Sequence, residues 1–153
     1  MRHFDRRKHS AAVNDGATAV EFALVVPMFL MLVFGAIEFG RILWTKQALQ
    51  ETAVAGARCM AIAQGTKPNG SCASSGSYSS SSATTYVQNV AKGWGLSVPS
   101  SGVALNNAAS CGGTSGFSQV TLTSTFNSVV PQLIELSTGG ITLTASACYP
   151  NNF

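Results

Sequence analysis

The sequence predicts an α+β protein: a long N-terminal transmembrane α-helix, then a small head with one short helix and an antiparallel sheet of about three strands. Three observations carry this. The stretch Ala17–Ile37 holds a single charge, Glu21, and is apolar all round, which marks a helix surrounded by hydrocarbon rather than by water. Two later stretches, Gln119–Phe126 and Ile141–Ala147, alternate apolar with hydroxyl-bearing residues, the period of a half-buried strand. Charged residues make up only 10 % of the chain, against roughly 25 % in soluble domains. That deficit fits a chain lying partly in lipid and partly in a small, polar, uncharged exported domain.

Four segments follow along the 153 residues: 1–16 a leader, 17–62 a long helix whose span is about 17–37, 63–82 a Gly/Ser-rich linker, and 83–153 an α+β head. The leader is basic. Arg2, Arg6, Arg7 and Lys8 stand against Asp5 and Asp15, a net +2 in sixteen residues, while five Lys/Arg face four Glu in the rest. A basic start before an apolar helix reads as a topogenic signal retained in the cytoplasm. Met1–Gly16 shows neither helical nor strand periodicity, so it is expected to be an irregular targeting segment. The mild overall charge of +3 forms no dense basic patch, and nucleic acid is not an expected partner.

As a helix, Ala17–Ile37 would rise about 31 Å, the thickness of a bilayer's hydrocarbon core. Pro27 falls inside it, which membrane helices tolerate. Glu38 and Arg41, at i and i+3, would close the span at the outer interface. Beyond it Ile42, Leu49, Gly56 and Met60 recur near a heptad spacing, with Ala48, Ala53 and Ala57 on the same side. This small-residue face suits packing under the chain's own head or against sister helices. The breaker run Gly65–Gly70, with Pro68 inside it, stops the helix.

The head begins in low complexity: eight of residues 71–82 are Ser, read as a flexible loop. A short helix is expected from Ala83 to Trp94, stacking Tyr86, Val90 and Trp94 and ending at Gly95. Tyr86 and Trp94 are read as core. Val103–Leu105 is a weak strand. In the two strong strands Val120, Leu122, Ser124 and Phe126, and Ile141, Leu143, Ala145 and Ala147, share the inner faces. The connection 127–140 is expected to fold back onto the sheet.

Cys59, Cys72, Cys111 and Cys148 include no C-x-x-C pair, which argues against zinc or thioredoxin-type chemistry. In an exported small domain, disulfides are the expected outcome. Three pairings are possible; Cys59–Cys72, a short loop clamping the helix exit, with Cys111–Cys148 is favoured.

Function is bounded chiefly by what is missing. A chain cut after Gly16 would contain no His and no Asp, and its carboxylates would be Glu21, Glu38, Glu51 and Glu135. General acid–base, Ser-His-Asp and His- or Asp-based metal chemistry lose their usual groups. No catalytic residue, metal or cofactor is expected.

The run Gly16-Ala17-Thr18-Ala19-Val20-Glu21-Phe22 resembles the prepilin-peptidase site of Tad (Flp-type) pilus proteins. With Ala23–Pro27, then Glu38-Phe39-Gly40-Arg41, Ala57-Arg58 and Gly139–Ala145, the chain is similar to TadE-like minor pseudopilins. The likeness covers most of the chain and is specific mainly over residues 16–58. The major Flp pilin, an almost headless helix, fits less well, and a TadG-type insertion does not fit in this length.

This resemblance implies a pilin-like fold and a cut between Gly16 and Ala17 by a prepilin peptidase. It implies assembly through Glu21 and Phe22 with other pilins or pseudopilins and with Tad inner-membrane assembly proteins. The chain would be a single-pass protein of the bacterial inner membrane, in contact with lipid, its N-terminus cytoplasmic and its head periplasmic. Incorporation into a surface pilus, and adhesion through it, belong to the same implication. The alternatives are a Sec-exported protein, with Val33-Phe34-Gly35 as a signal-peptidase site, and an uncleaved single-pass anchor with a small binding head.

Overall fold

The computed structural model describes residues 8–65, 70–128 and 140–151, with the side chains of its first helix described from Gly16 onward. The elements in order are α1 (Lys8–Ala63), β1 (Ala73–Ser74), β2 (Ser77–Tyr78), α2 (Ser80–Gly93), a 3-10 turn (Ser100–Gly102), β3 (Val103–Cys111), β4 (Thr114–Phe126) and β5 (Ile141–Pro150). The chain divides into two compact units, one ending at Gly40 and the other starting at Arg41.

In the first unit, α1 starts earlier than the sequence suggested. Residues 8–15 are helical, although the sequence there has no amphipathic period. Adding residues to an existing helix costs far less than starting one, and Ala11 and Ala12 are good helix formers. From Val20 to Ile37 the large apolar side chains of α1 are exposed, save for half-buried Val26 and Val33. This helix is long and apolar enough to cross a membrane. Pro27 sits within it and removes one backbone hydrogen bond from its ladder.

The second unit is the head, and the outer part of α1 forms its spine. Leu49, Ala53, Ala57, Met60 and Ala63 are buried in one core with Val87 of α2 and with Val120, Leu122, Leu143 and Ala145 of the sheet. The near-heptad face read from the sequence is thus the face that packs. Gly56 marks its closest approach: a Cβ there would lie 2.6 Å from Val87 Cγ2 and 3.3 Å from Val120 Cγ2. Thr52, fully buried, satisfies its hydroxyl by donating to the Ala48 carbonyl at 2.7 Å.

The three-stranded sheet has the order β3-β4-β5, antiparallel throughout. Most of its expected inner face is buried, Val120, Leu122 and Phe126 of β4 and Leu143, Ala145 and Ala147 of β5, whereas Ser124 is half-buried and Ile141, at the start of β5, is 40 % exposed. The outer face sets Thr121 opposite Ser146, Thr123 opposite Thr144 and Thr125 opposite Thr142, and the Thr121 and Ser146 hydroxyls lie 3.0 Å apart. All three strands run longer than their patterned cores. β3 continues to Cys111 through register shifts around Ala109, where alternation is broken and the sequence shows no signal. The connection expected to fold onto the sheet lies largely outside the described residues, as do positions 66–69 of the helix stop.

The serine-rich stretch is more ordered than its composition suggested. Residues 73–78 form a small hairpin, and Ser79 caps α2, its Oγ accepting from the Ser82 N–H at 3.4 Å. Serine is a poor helix interior residue but a preferred N-cap, so α2 starts at Ser80 rather than Ala83. Its inward face also differs by one residue from the expected stack. Ala83, Val87 and Ala91 are buried, while Tyr86 and Val90 are half-buried flanks and Trp94 is exposed. Where α1 and the sheet come close, the small side chains fit and the bulky ones are turned out.

Two disulfides hold this arrangement. Cys59–Cys72 joins α1 to the segment entering the hairpin, with Cα atoms 5.8 Å apart, and Cys111–Cys148 joins β3 to β5 across β4, with Cα atoms 6.6 Å apart. These are the pairings favoured from spacing.

Candidate functional site

The Gly16–Phe22 stretch lies on α1, and its side chains from Gly16 onward are exposed. The Gly16–Ala17 bond is inside the helix, and a Cβ at Gly16 would meet nothing within 4 Å. Glycine here is therefore not required by packing. It weakens the helix locally, by about 1 kcal/mol relative to alanine, at the bond singled out as the cleavage site. Ala17 and Glu21 are one helical turn apart and share a face. Phe22 is 70 % exposed and Glu21 is exposed beside it. The structure thus places Gly16, Ala17, Glu21 and Phe22 together on one bare stretch of helix, ahead of an apolar surface running through Val25, Met28, Phe29 and Leu32.

At the other end of that surface the two predicted interfacial charges differ in their surroundings. Glu38 is only 4 % exposed. Arg41 is exposed, and its guanidinium carbon lies 5.2 Å from the centre of the Phe126 ring, a cation–π distance.

The head carries a second set of polar contacts, which anchor α1 to the sheet. Gln64 Nε2 donates to Ser118 Oγ at 2.6 Å, and Ser118 Oγ in turn donates to Asn151 Oδ1 at 2.7 Å. Asn151 Nδ2 donates to the Asn107 carbonyl at 3.0 Å. Gln50 Nε2 donates to the Ser146 carbonyl at 3.2 Å. Ser118 is buried, and this chain satisfies it. These side chains are amides and hydroxyls, with neither nucleophile–base pairing nor charge. Tyr78 is half-buried, and burial holds its phenol above the usual value of 10.0.

Two features went unseen in the sequence. A shallow groove of about 590 Å³ runs between the exposed side of α1, at Glu51, Val54 and Arg58, and Tyr86 of α2, so Tyr86 packs against the core with one side and lines this groove with the other. Trp44 and Trp94 meet edge to face, their ring centres 6.0 Å apart. Trp94, expected in the core, is 42 % exposed. Its partner stands fifty positions earlier in the chain, and no local pattern signals that pairing.

A family model described as TadE-like protein matches residues 16–58. It begins at the glycine of the candidate cleavage site and ends just before Cys59. No curated protein and no solved structure matches the chain.

Proposed function

We propose, from the TadE-like segment at residues 16–58, that this chain is a minor pseudopilin-type structural component of a Tad (Flp-type) pilus system and not an enzyme. The observation that carries the proposal is the position of that segment. It starts at Gly16, has Glu21 five residues in and continues as a bare apolar helix. The leader stays in the cytoplasm, and a prepilin peptidase of the inner membrane hydrolyses the Gly16–Ala17 bond. The head is periplasmic, and its two disulfides suit an oxidising compartment.

Cleavage produces an α-ammonium on Ala17, close to the membrane interface and one turn from Glu21. A carboxylate in lipid costs up to about 2.5–3.5 kcal/mol at the helix centre and less near the interface. When Glu21 of an incoming subunit meets the Ala17 ammonium of a neighbour, each charge removes the other's need for water. The pair then favours docking of one bare helix against the next, with Phe22 beside it filling the contact. The partners are the peptidase, other pilins or pseudopilins, Tad inner-membrane assembly proteins and lipid.

Two substitutions separate processing from assembly. Gly16→Ala removes the local weak point and is expected to leave the full-length chain uncut on a gel. Glu21→Ala is expected to be cut normally yet absent from sheared fibres and from crosslinks to sister subunits. Normal assembly of Glu21→Ala would defeat the charge-pairing step.

A further inference from the structure

We infer that Trp44 and Trp94 form an aromatic anchor that seats the head on the lipid headgroup layer. This inference rests on the membrane anchorage proposed above. The apolar exterior of α1 does not end at Ile37: Leu43 is 51 % exposed and Trp44 60 %. From Val20 to Trp44 the helix rises about 36 Å, which covers the hydrocarbon core of about 30 Å and enters the polar layer on one side. Trp44 therefore stands at the level where indole rings concentrate, with an apolar body and an N–H donor suited to the headgroups.

Trp94 comes to that level from a different part of the chain. Its position is set by the end of α2. Gly95, at φ 76, reverses the chain in the left-handed region, its N–H bonding the Lys92 carbonyl, while the Leu96 N–H bonds the Ala91 carbonyl. This pair of bonds is a Schellman motif, and it holds Trp94 at the helix cap with its ring edge to face against Trp44. The bulky apolar residues of this helix are buried, as Val87, or half-buried, as Tyr86 and Val90, whereas the tryptophan held at its cap keeps 42 % of its surface exposed beside Trp44.

Charge selects lipid as their partner. The exposed charged residues nearest in sequence to the two rings are Arg41 and Lys46 around Trp44, and Lys92 beside Trp94. All three are basic, and the last two carry stems long enough to lie along the interface with the ammonium in the headgroups. Basic residues at the membrane surface are attracted by anionic lipid. Two indole rings from different elements of the head then contact the headgroup layer together.

The chain contains two tryptophans, which makes the test direct. Full-length Trp44→Phe, leaving Trp94 alone, is reconstituted in vesicles of phosphatidylethanolamine and phosphatidylglycerol. The lipids are brominated near the headgroup or near the chain ends, and flotation confirms anchorage. Trp94 emission is expected to be blue-shifted, shielded from aqueous iodide and quenched more by the shallow bromines than by the deep ones. Adding Lys92→Glu should reduce the shallow quenching in these vesicles and not in purely zwitterionic ones. Trp94→Phe, leaving Trp44, should show the same depth.

Trp94 that is open to iodide and unquenched by either lipid, in chains that float, overturns the inference and leaves the anchor reading standing. Trp94 shielded from iodide but unquenched by lipid also overturns it, because a protein partner then covers the ring. A chain that does not float overturns anchorage and the docking with it.

Discussion

The two halves of α1 are both apolar, and they meet opposite fates. Between Val20 and Ile37 the side chains are large, occur on every side of the helix and are exposed. Between Leu49 and Ala63 the inward residues are mostly small, follow one stripe and are buried under α2 and the sheet. Hydrophobicity alone does not separate these outcomes. Size and angular placement do. Alanine and glycine on one stripe let a second helix and a sheet approach closely, whereas Phe, Leu and Met all round leave no polar side to face water. One continuous helix thus carries two surfaces, an apolar one left bare and a small-residue one that is the spine of the head.

The largest expected contrast comes from truncating one leucine in each half. Leu49→Ala empties a fully buried site and should lower head stability by about 2–5 kcal/mol. Leu24→Ala, on the exposed inner half, should leave it unchanged. Near-ultraviolet circular dichroism of the head during denaturant unfolding in micelles reads both. Equal effects would break the comparison.

Glycines sharpen it at finer scale. Gly56→Ala puts a methyl against Val87 and is expected to cost about 1–3 kcal/mol for overpacking, partly offset by about 1 kcal/mol of helix propensity. At Gly35, where a Cβ meets nothing within 4 Å, the same change should leave the head's unfolding midpoint in place.

The smallest effect is confined to the head. Burial holds the Tyr78 phenol above 10.0, so the unfolded chain releases this proton at a lower pH than the folded one. The contribution is fully present below pH 10 and is lost as pH rises through the folded value. The head's melting midpoint should therefore fall from about pH 9 to about pH 11, and Tyr78→Phe should flatten part of that fall.

Much of this was legible in the sequence wherever one period ran unbroken. The alternation in 119–126 and 143–147 named the buried face of both strands, failing at Ile141 where β5 begins, and the near-heptad run 42–60 named the face of α1 that packs. Legibility failed where a residue's role depends on its surroundings. Residues 71–82 read as loop because a serine-rich stretch is too polar to build a core, yet the Ser79 hydroxyl caps α2. Tyr86, Val90 and Trp94 read as the packed stack because they recur every four residues. The space beneath α2 admits only Ala83, Val87 and Ala91, a limit imposed by the approach at Gly56. Of the candidate site, Gly16, Ala17, Glu21 and Phe22 were visible as a motif at the foot of an apolar run. The Trp44–Trp94 contact was not, since it is made by two elements fifty residues apart and fixed by the turn at Gly95.

The most direct measurement of the central claim is the mass of the mature N-terminus, determined by intact mass spectrometry of the chain recovered from membranes. Cleavage by a prepilin peptidase predicts Ala17 as the first residue, with Glu21 at position five and the whole bare half of α1 retained. A chain beginning at Ala36 would contradict the account, because it would have lost that half to signal peptidase. A chain retaining Met1–Gly16 would contradict it too, since no new ammonium would exist for Glu21 to meet.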